Sequence, residues 1–308
     1  MSPRVFAYLL FAVCPILLAS NLIFGAVAVG TITPFTLAFL RWGLASLVIL
    51  PFAWTSLVRH RKLFLQQWKL ILLIAFLGMG ICGSGVYMAL RHSSATNGTL
   101  IYATPPLLIV VLEWAFRGRK ISSREAIGIV LGLAGILFIV SKGHLETLLS
   151  IEFSFGDLLF VIAASSWAVY TVLSKNSVFN AVPTVGMFTI VGLTGAVIQI
   201  PFVIWENTQY VTITTHGSQW FSLAALVLFS SVGAFLAYQY LIRKLGPATA
   251  GLVMYLQPLA GVIMAVLFLD EAFRSFHLIG LILVMAGVLL ATFPANLLKR
   301  GRTGSHAA

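Results

Sequence analysis

The chain has 308 residues, of which 60% are hydrophobic and 9% charged, with a mean hydropathy of +1.02. A soluble domain carries roughly 25% charged residues, so a water-soluble globular protein is excluded and a multi-span membrane protein is implied. The net charge of +11 would suggest nucleic acid for a soluble chain, but here the cations fall in short loops between apolar runs.

A spanning helix needs about 20 apolar residues. Ten runs qualify: 4–28, 34–56, 69–90, 95–116, 123–141, 155–174, 183–205, 218–242, 247–269 and 274–296. The first ends in Ala26-Val27-Ala28, which resembles a signal-peptidase site, but the run is too long for a secretory signal and reads as a span. The longest connections lie near 57–68, 142–154 and 206–217. Cys14 and Cys82 lie inside apolar runs, so neither a disulfide framework nor a metal motif is implied. The expected fold class is an all-α membrane protein of ten transmembrane helices.

Charge sets the orientation. The side that holds the N-terminus receives Arg4; Arg59, Arg61, Lys62 and Lys69; Arg117, Arg119, Lys120 and Arg124; Lys175; Arg243 and Lys244; and Lys299, Arg300 and Arg302. The other side receives Arg91, Lys142 and Arg274. Cytoplasmic loops carry the Lys/Arg excess, so both termini are expected in the cytoplasm. The short loops and the bias suit a bacterial inner membrane.

The chain also repeats. Ala95-Thr96-Asn97-Gly98-Thr99-Leu100-Ile101-Tyr102-Ala103-Thr104-Pro105 is echoed by Ala248-Thr249-Ala250-Gly251-Leu252-Val253-Met254-Tyr255-Leu256-Gln257-Pro258, at an offset of 153 residues. Gly80 and Tyr87 match Gly233 and Tyr240 at that offset, and Gly128 and Gly135 match Gly280 and Gly287 at 152. Pro34 and Gly43 match Pro183 and Gly192 at 149. The division is therefore 1–149 and 150–308, five helices each. An odd number per half inverts the second half in the membrane, and inverted repeats are a hallmark of secondary transporters.

Positions 95, 98, 102 and 105 step by three and four, which places them on one face if the helix is continuous. Gly98, Pro105, Gly251 and Pro258 are candidate gating or hinge positions, with plain packing as the alternative. Tyr102 and Tyr255, with Thr99 and Gln257 nearby, are candidate pathway residues. So are Tyr87 on one span and Tyr238 and Gln239 on another. Asn21 and the Ser166, Trp167 and Tyr170 group read either as a substrate platform with an aromatic wall or as interhelical bonding. Tyr240, near a helix end, reads as an interfacial anchor. Arg41 is an intramembrane charge that either attracts a carboxylate or holds helices together. Glu113 with Arg117 reads as a structural pair. Asp270, Glu271 and Arg274 are expected to be solvated. The fifth and tenth spans, with Gly128, Gly132, Gly135, Gly280 and Gly287, read as peripheral packing helices.

These features resemble the EamA family of the drug/metabolite transporter superfamily. The resemblance rests on Pro34 through Arg41, Tyr87-Met88-Ala89-Leu90 ahead of Ala95, and Tyr102 to Pro105. It continues in Leu267-Phe268-Leu269-Asp270-Glu271 followed by Ile279-Gly280 and Ala286-Gly287-Val288. Glu271 stands at the family's usual glutamate, while Arg119 departs from it in the first half. The resemblance implies a ten-helix bundle exporting amino acids or other small metabolites, most like the aromatic amino acid exporter branch.

No Asp, Glu or His falls at the middle of a span, so coupling to protons or sodium is expected to be weak or absent. The Asn97-Gly98-Thr99 sequon abuts a helix start and is set aside. No phosphate loop, nucleophile elbow or zinc spacing occurs, so neither a cofactor nor a metal is expected, and the chain is not read as an enzyme. The expected partners are a small-molecule substrate and the lipid bilayer, with no nucleic acid and a monomer as the working unit. Two alternatives are an exporter of lipophilic cations on the same fold and an intramembrane enzyme acting on lipid.

Overall fold

The computed structural model describes residues 3–117, 120–143, 154–174, 179, 181–209, 217–245 and 253–292. Among them there is no strand. The helices are α1 (Pro3–Ala28), α2 (Pro34–Arg59), α3 (Arg61–Gln66), α4 (Trp68–Leu90), α5 (Ala95–Ile101), α6 (Pro105–Arg117), α7 (Ser123–Val140), α8 (Phe155–Ser174), α9 (Thr184–Gln209), α10 (217–245), α11 (Val253–Leu269) and α12 (Ser275–Thr292). Among the described residues, six helices are long and apolar enough to cross a membrane, within α1, α2, α4, α8, α9 and α10; α6, α11 and α12 hold shorter apolar stretches. The hydrophobic pattern is that of a lipid-facing bundle. Phe52 and Phe116 are 76% and 79% exposed on the circumference, while Arg41, Asp157, Glu206 and Gln199 are buried.

Three expectations need correction. The 57–68 connection contains the short helix α3. The expected helix 95–116 is broken at Tyr102–Thr104, so 95, 98, 102 and 105 do not share one continuous face. The cause is the pair Pro105-Pro106. Two successive residues lack an amide donor, and the residue before a proline is driven out of the α region. The Thr104 hydroxyl donates to Ile101 O at 2.7 Å and covers one freed carbonyl. In α11 the matching Pro258 is followed by Leu259, and the helix runs through it.

The third correction concerns α4 and α10. Both are regular helices only at their ends. Phe76–Gly85 in α4 and Leu226–Gly233 in α10 are wound as π-helix. The wider winding frees carbonyls, and polar side chains take them. Ser166 Oγ of α8 donates to Leu77 O at 3.1 Å, Gln199 Nε2 of α9 to Met79 O at 3.0 Å, and Ser231 Oγ to Leu226 O at 3.0 Å.

Helices α2 and α9 lie antiparallel: Gly186 meets Ser56, Gly192 meets Ser46, and Phe35 stacks on Phe202 at 5.0 Å. Helices α7 and α12 do the same along a glycine seam. A methyl group on Gly135 would lie 2.8 Å from Val284 N and 3.0 Å from Gly280 O. One on Gly287 would lie 2.5 Å from both Gly132 N and Gly128 O. Loops thus sort to two ends. We call the end with residues 29–33, 91–94, 141–143 and 270–274 distal, and the end where Phe6 meets Tyr240 at 5.3 Å proximal.

Candidate functional site

The site is built around Arg41, two turns into α2 and 4% exposed. Its Nη1 donates to Asn21 Oδ1 of α1 at 2.6 Å and to Tyr87 OH of α4 at 2.9 Å. Its Nε donates to Ser231 Oγ of α10 at 2.8 Å. The Tyr87 proton goes to Asn21 Oδ1 at 3.2 Å and the Ser231 proton to Leu226 O, so each hydroxyl turns a lone pair to the guanidinium. The guanidinium carbon also lies 4.4 Å from the Trp42 ring centroid. Among the described residues no carboxylate pairs with Arg41, and Nη2 has no hydrogen-bond partner. A cation inside an apolar bundle costs several kcal/mol unless it is paired. Neutral acceptors hold three of its five N–H groups and leave one edge unspent.

The winding of α10 supplies this geometry. Ser231 lies within its π segment, and Ser230 beside it bonds Ser20 of α1 at 2.8 Å. Tyr87 follows the π segment of α4 and is fully buried.

An aromatic group adjoins the centre. Trp167 and Tyr170 of α8 stack with centroids 4.8 Å apart, and Tyr170 lies against Gly78 of α4. Cys82 bonds Ala163 O of α8 at 3.2 Å. Cys82 and Tyr170 thus both mark the packing of α4 against α8. Tyr102 lies half-buried at the break between α5 and α6.

The other sequence candidates divide. Ser166 is spent on the α4 carbonyl and does not sit beside Arg41. Thr99 is buried with its methyl against Gly261 of α11, and its hydroxyl has no partner among the described residues. Gly98 admits the ring of Phe160, a close contact in place of a hinge. Pro105 opens α6 and makes the break described above. Pro258 is buried and Gln257 half-buried within α11. Tyr238 packs with Cys14, Leu241 and Val253 in a separate cluster, away from Arg41. Gly251 and Arg119, and the side chains of Gln239, Tyr255 and Glu113, lie outside the described residues.

The sequence profile of the EamA-like transporter family matches this chain twice, over residues 5–141 and 154–293. The chain belongs to that family. It is similar to an uncharacterized transporter of Archaeoglobus fulgidus, 29% identical over 92% of this chain and 96% of that one. It is 27% identical to the uncharacterized inner membrane transporter YedA of Escherichia coli K12, over 85% of this chain and 84% of YedA. A solved crystal structure with 22% identity superposes with a TM-score of 0.63, covering 96% of this chain and 99% of the other, and so shares the fold. This EamA-like chain is a membrane transporter.

Sequence reasoning missed a second polar cluster, at the distal end. Asp157, in the first turn of α8, is fully buried. It accepts from Ser93 Oγ and, on both oxygens, from Asn97 Nδ2 at 3.2 and 3.4 Å. His277 Nδ1 accepts from Arg274 N at 3.1 Å, so Nε2 carries the proton and donates to Asn97 Oδ1 at 3.1 Å. Glu271, expected to be solvated, instead accepts from Ala95 N at 2.7 Å and Thr96 N at 2.8 Å. Free amides at a helix start attract a carboxylate, and α5 begins there. Glu206 does the same for α2, accepting from Phe35 N at 3.2 Å and Thr36 N at 3.0 Å. The sequon residue Asn97, set aside above, is buried and bridges Asp157 to His277. Each acid lies next to a loop in the sequence, and only the fold brings its partner, 60 or more residues away, to it.

Proposed function

We propose that this EamA-like transporter exports small organic acids of the amino acid type, neutral and aromatic ones foremost, across a bacterial inner membrane by alternating access. The observation that carries the reading is that Nη2 of the buried Arg41 has no partner among the described residues. A buried guanidinium held only by neutral acceptors is a ready partner for a substrate carboxylate, which a planar fork grips through two parallel bonds. Asn21 and Tyr87 orient that fork. Tyr102 and the Trp167–Tyr170 pair supply an aromatic wall for the substrate side chain. A lipophilic cation would meet Arg41 with like charge, which disfavours the multidrug alternative.

In this reading the chain crosses the membrane ten times, as two inverted five-helix halves, 1–149 and 150–308, with both termini in the cytoplasm. The glycine seam supports the inversion. Gly135 approaches Gly280 as Gly287 approaches Gly128, and in sequence Gly135 matches Gly287 and Gly128 matches Gly280. Such reciprocal contacts arise when like elements meet across a two-fold axis. The distal end is then the external one. A broken helix beside the site, as at Tyr102–Thr104, is a recurrent device for binding in transporters. Among the described residues no carboxylate lies at the centre, which supports flow down the substrate gradient.

Counterflow in proteoliposomes against labelled phenylalanine, tryptophan, alanine and a lipophilic cation tests this. Amino acids should exchange and the cation should not. Absence of exchange for every amino acid would overturn the substrate assignment.

A further inference from the structure

Among the described residues, the buried Glu125 is taken up by the capping box of α7, and three more buried or half-buried carboxylates lie outside the central site: Asp157, Glu206 and Glu271. All three belong to the second half, all three lie at the distal end, and each holds a group of the first half. Their grip depends on the ionised form. A carboxylate offers two oxygens, and Glu206 and Glu271 each set both against two adjacent backbone amides. Protonation turns one acceptor into a donor facing an N–H. Asp157 likewise spends its oxygens on Ser93 and Asn97.

We infer that these carboxylates form an acid-releasable latch that keeps the distal end of the transporter closed, so that protons on that side govern how often it opens. The inference rests on the alternating-access reading above. A cavity of about 710 Å³ gives protons a route, since it is lined by Asp157, Asn97 and His277 and also by exposed Lys142, Arg274 and His92. Among the described residues these are the charged and titratable groups that line the cavity with Asp157, and Arg274 and His277 also lie near Glu271. His277 joins the release in acid, because a charged imidazole no longer accepts from Arg274 N. Glu206 meets the uncharged Phe35 and Thr36 of α2. The latch sits at the mouth and not at Arg41. Protons therefore change the rate of exchange from the distal side without adding to the substrate gradient, which separates the latch from proton-coupled transport.

Hydrogen–deuterium exchange of the full chain in lipid nanodiscs tests this, with each rate divided by the intrinsic amide rate at the same pH. From about pH 8 to about pH 3, which carries ordinary carboxylates through their midpoints near about 4, protection at residues 35–36 and 95–97 should fall about ten-fold. Protection at 260–265 in α11 should hold. At about pH 8, Glu271→Gln and Asp157→Asn should reproduce the loss at 95–97. In a Cys14→Ser background at that fixed pH, the same two variants should speed modification of Cys82 by an impermeant thiol reagent from the distal side about five-fold. Equal loss at 35–36, 95–97 and 260–265 in the unaltered chain would overturn the latch, as would amides that loosen while Cys82 stays shielded. Both readouts work without substrate, so a failed counterflow assay with an intact acid response would sink the substrate assignment and spare the latch.

Discussion

The centre and the distal end of this transporter both bury charge, and they treat it in opposite ways. At the distal end each carboxylate has its oxygens filled by backbone amides, hydroxyls or an amide side chain, and two of the three sit against the helix starts of α2 and α5. At the centre the guanidinium of Arg41 is held by Asn21, Tyr87 and Ser231 and keeps Nη2 without a partner among the described residues. Filled charges fasten helices together. A charge left part-filled in a packed bundle is held in readiness for something that arrives later. Burial alone does not tell these roles apart, whereas a count of donors against acceptors does.

The largest expected effect breaks the central half of that contrast. Arg41→Gln should lower amino acid counterflow about 100-fold or more, in line with loss of a charged hydrogen-bonded partner, and should leave the melting temperature equal or higher because a costly cation is gone. Arg41→Lys should recover little, since a point charge does not replace a planar fork. Retention of wild-type counterflow in Arg41→Gln would remove the carboxylate assignment. Next, Trp167→Ala should lower counterflow of tryptophan relative to alanine about ten-fold, through lost stacking and apolar contact of about 1.4 kcal/mol. Equal losses for the two substrates would return Trp167 to a packing role. Tyr87→Phe should weaken substrate binding about five-fold, because removing one hydroxyl costs about 1 kcal/mol and lets Asn21 turn. Isothermal titration would show it. The smallest effect belongs to the distal half: Glu206→Gln should lower the melting temperature by about 2–6 °C, as expected for losing one of two charged acceptor bonds, with substrate affinity unchanged. A change in affinity there would blur the distinction between the two regions.

Much of the scaffold was legible because its signals are local. Pro34 at the start of α2 and the Ser122–Glu125 capping box of α7 are short-range marks, and both stand where the helices begin. Asn21, Arg41, Tyr87, Tyr102, Trp167 and Tyr170 were legible as polar or aromatic residues inside apolar runs; the structure brings Asn21 and Tyr87 onto Arg41 and stacks Trp167 on Tyr170. Ser231 was not singled out, since a serine in a span is common and its role depends on a π turn that hydrophobic periodicity does not register. The clustered glycines at 78, 80, 83 and 85 and the Ser230-Ser231-Val232-Gly233 run were the available hints. Asp157 and Glu271 were hidden for another reason. Loop acids usually face water, and nothing near them in the chain names the distant amides that bind them. The break at Tyr102–Thr104 was half legible: Pro105 announced a bend, and Pro106 beside it made the bend a gap.

The seam between α7 and α12 carries one more consequence. Each helix lends the groove that the other fills, and glycines at mirrored positions leave no slack for drift on one side alone. A chain ending after the first half would carry α7 with its groove bare, and the surface best shaped to cover it is the same groove turned upside down. Such a fragment would lack the α12 surface that closes this seam.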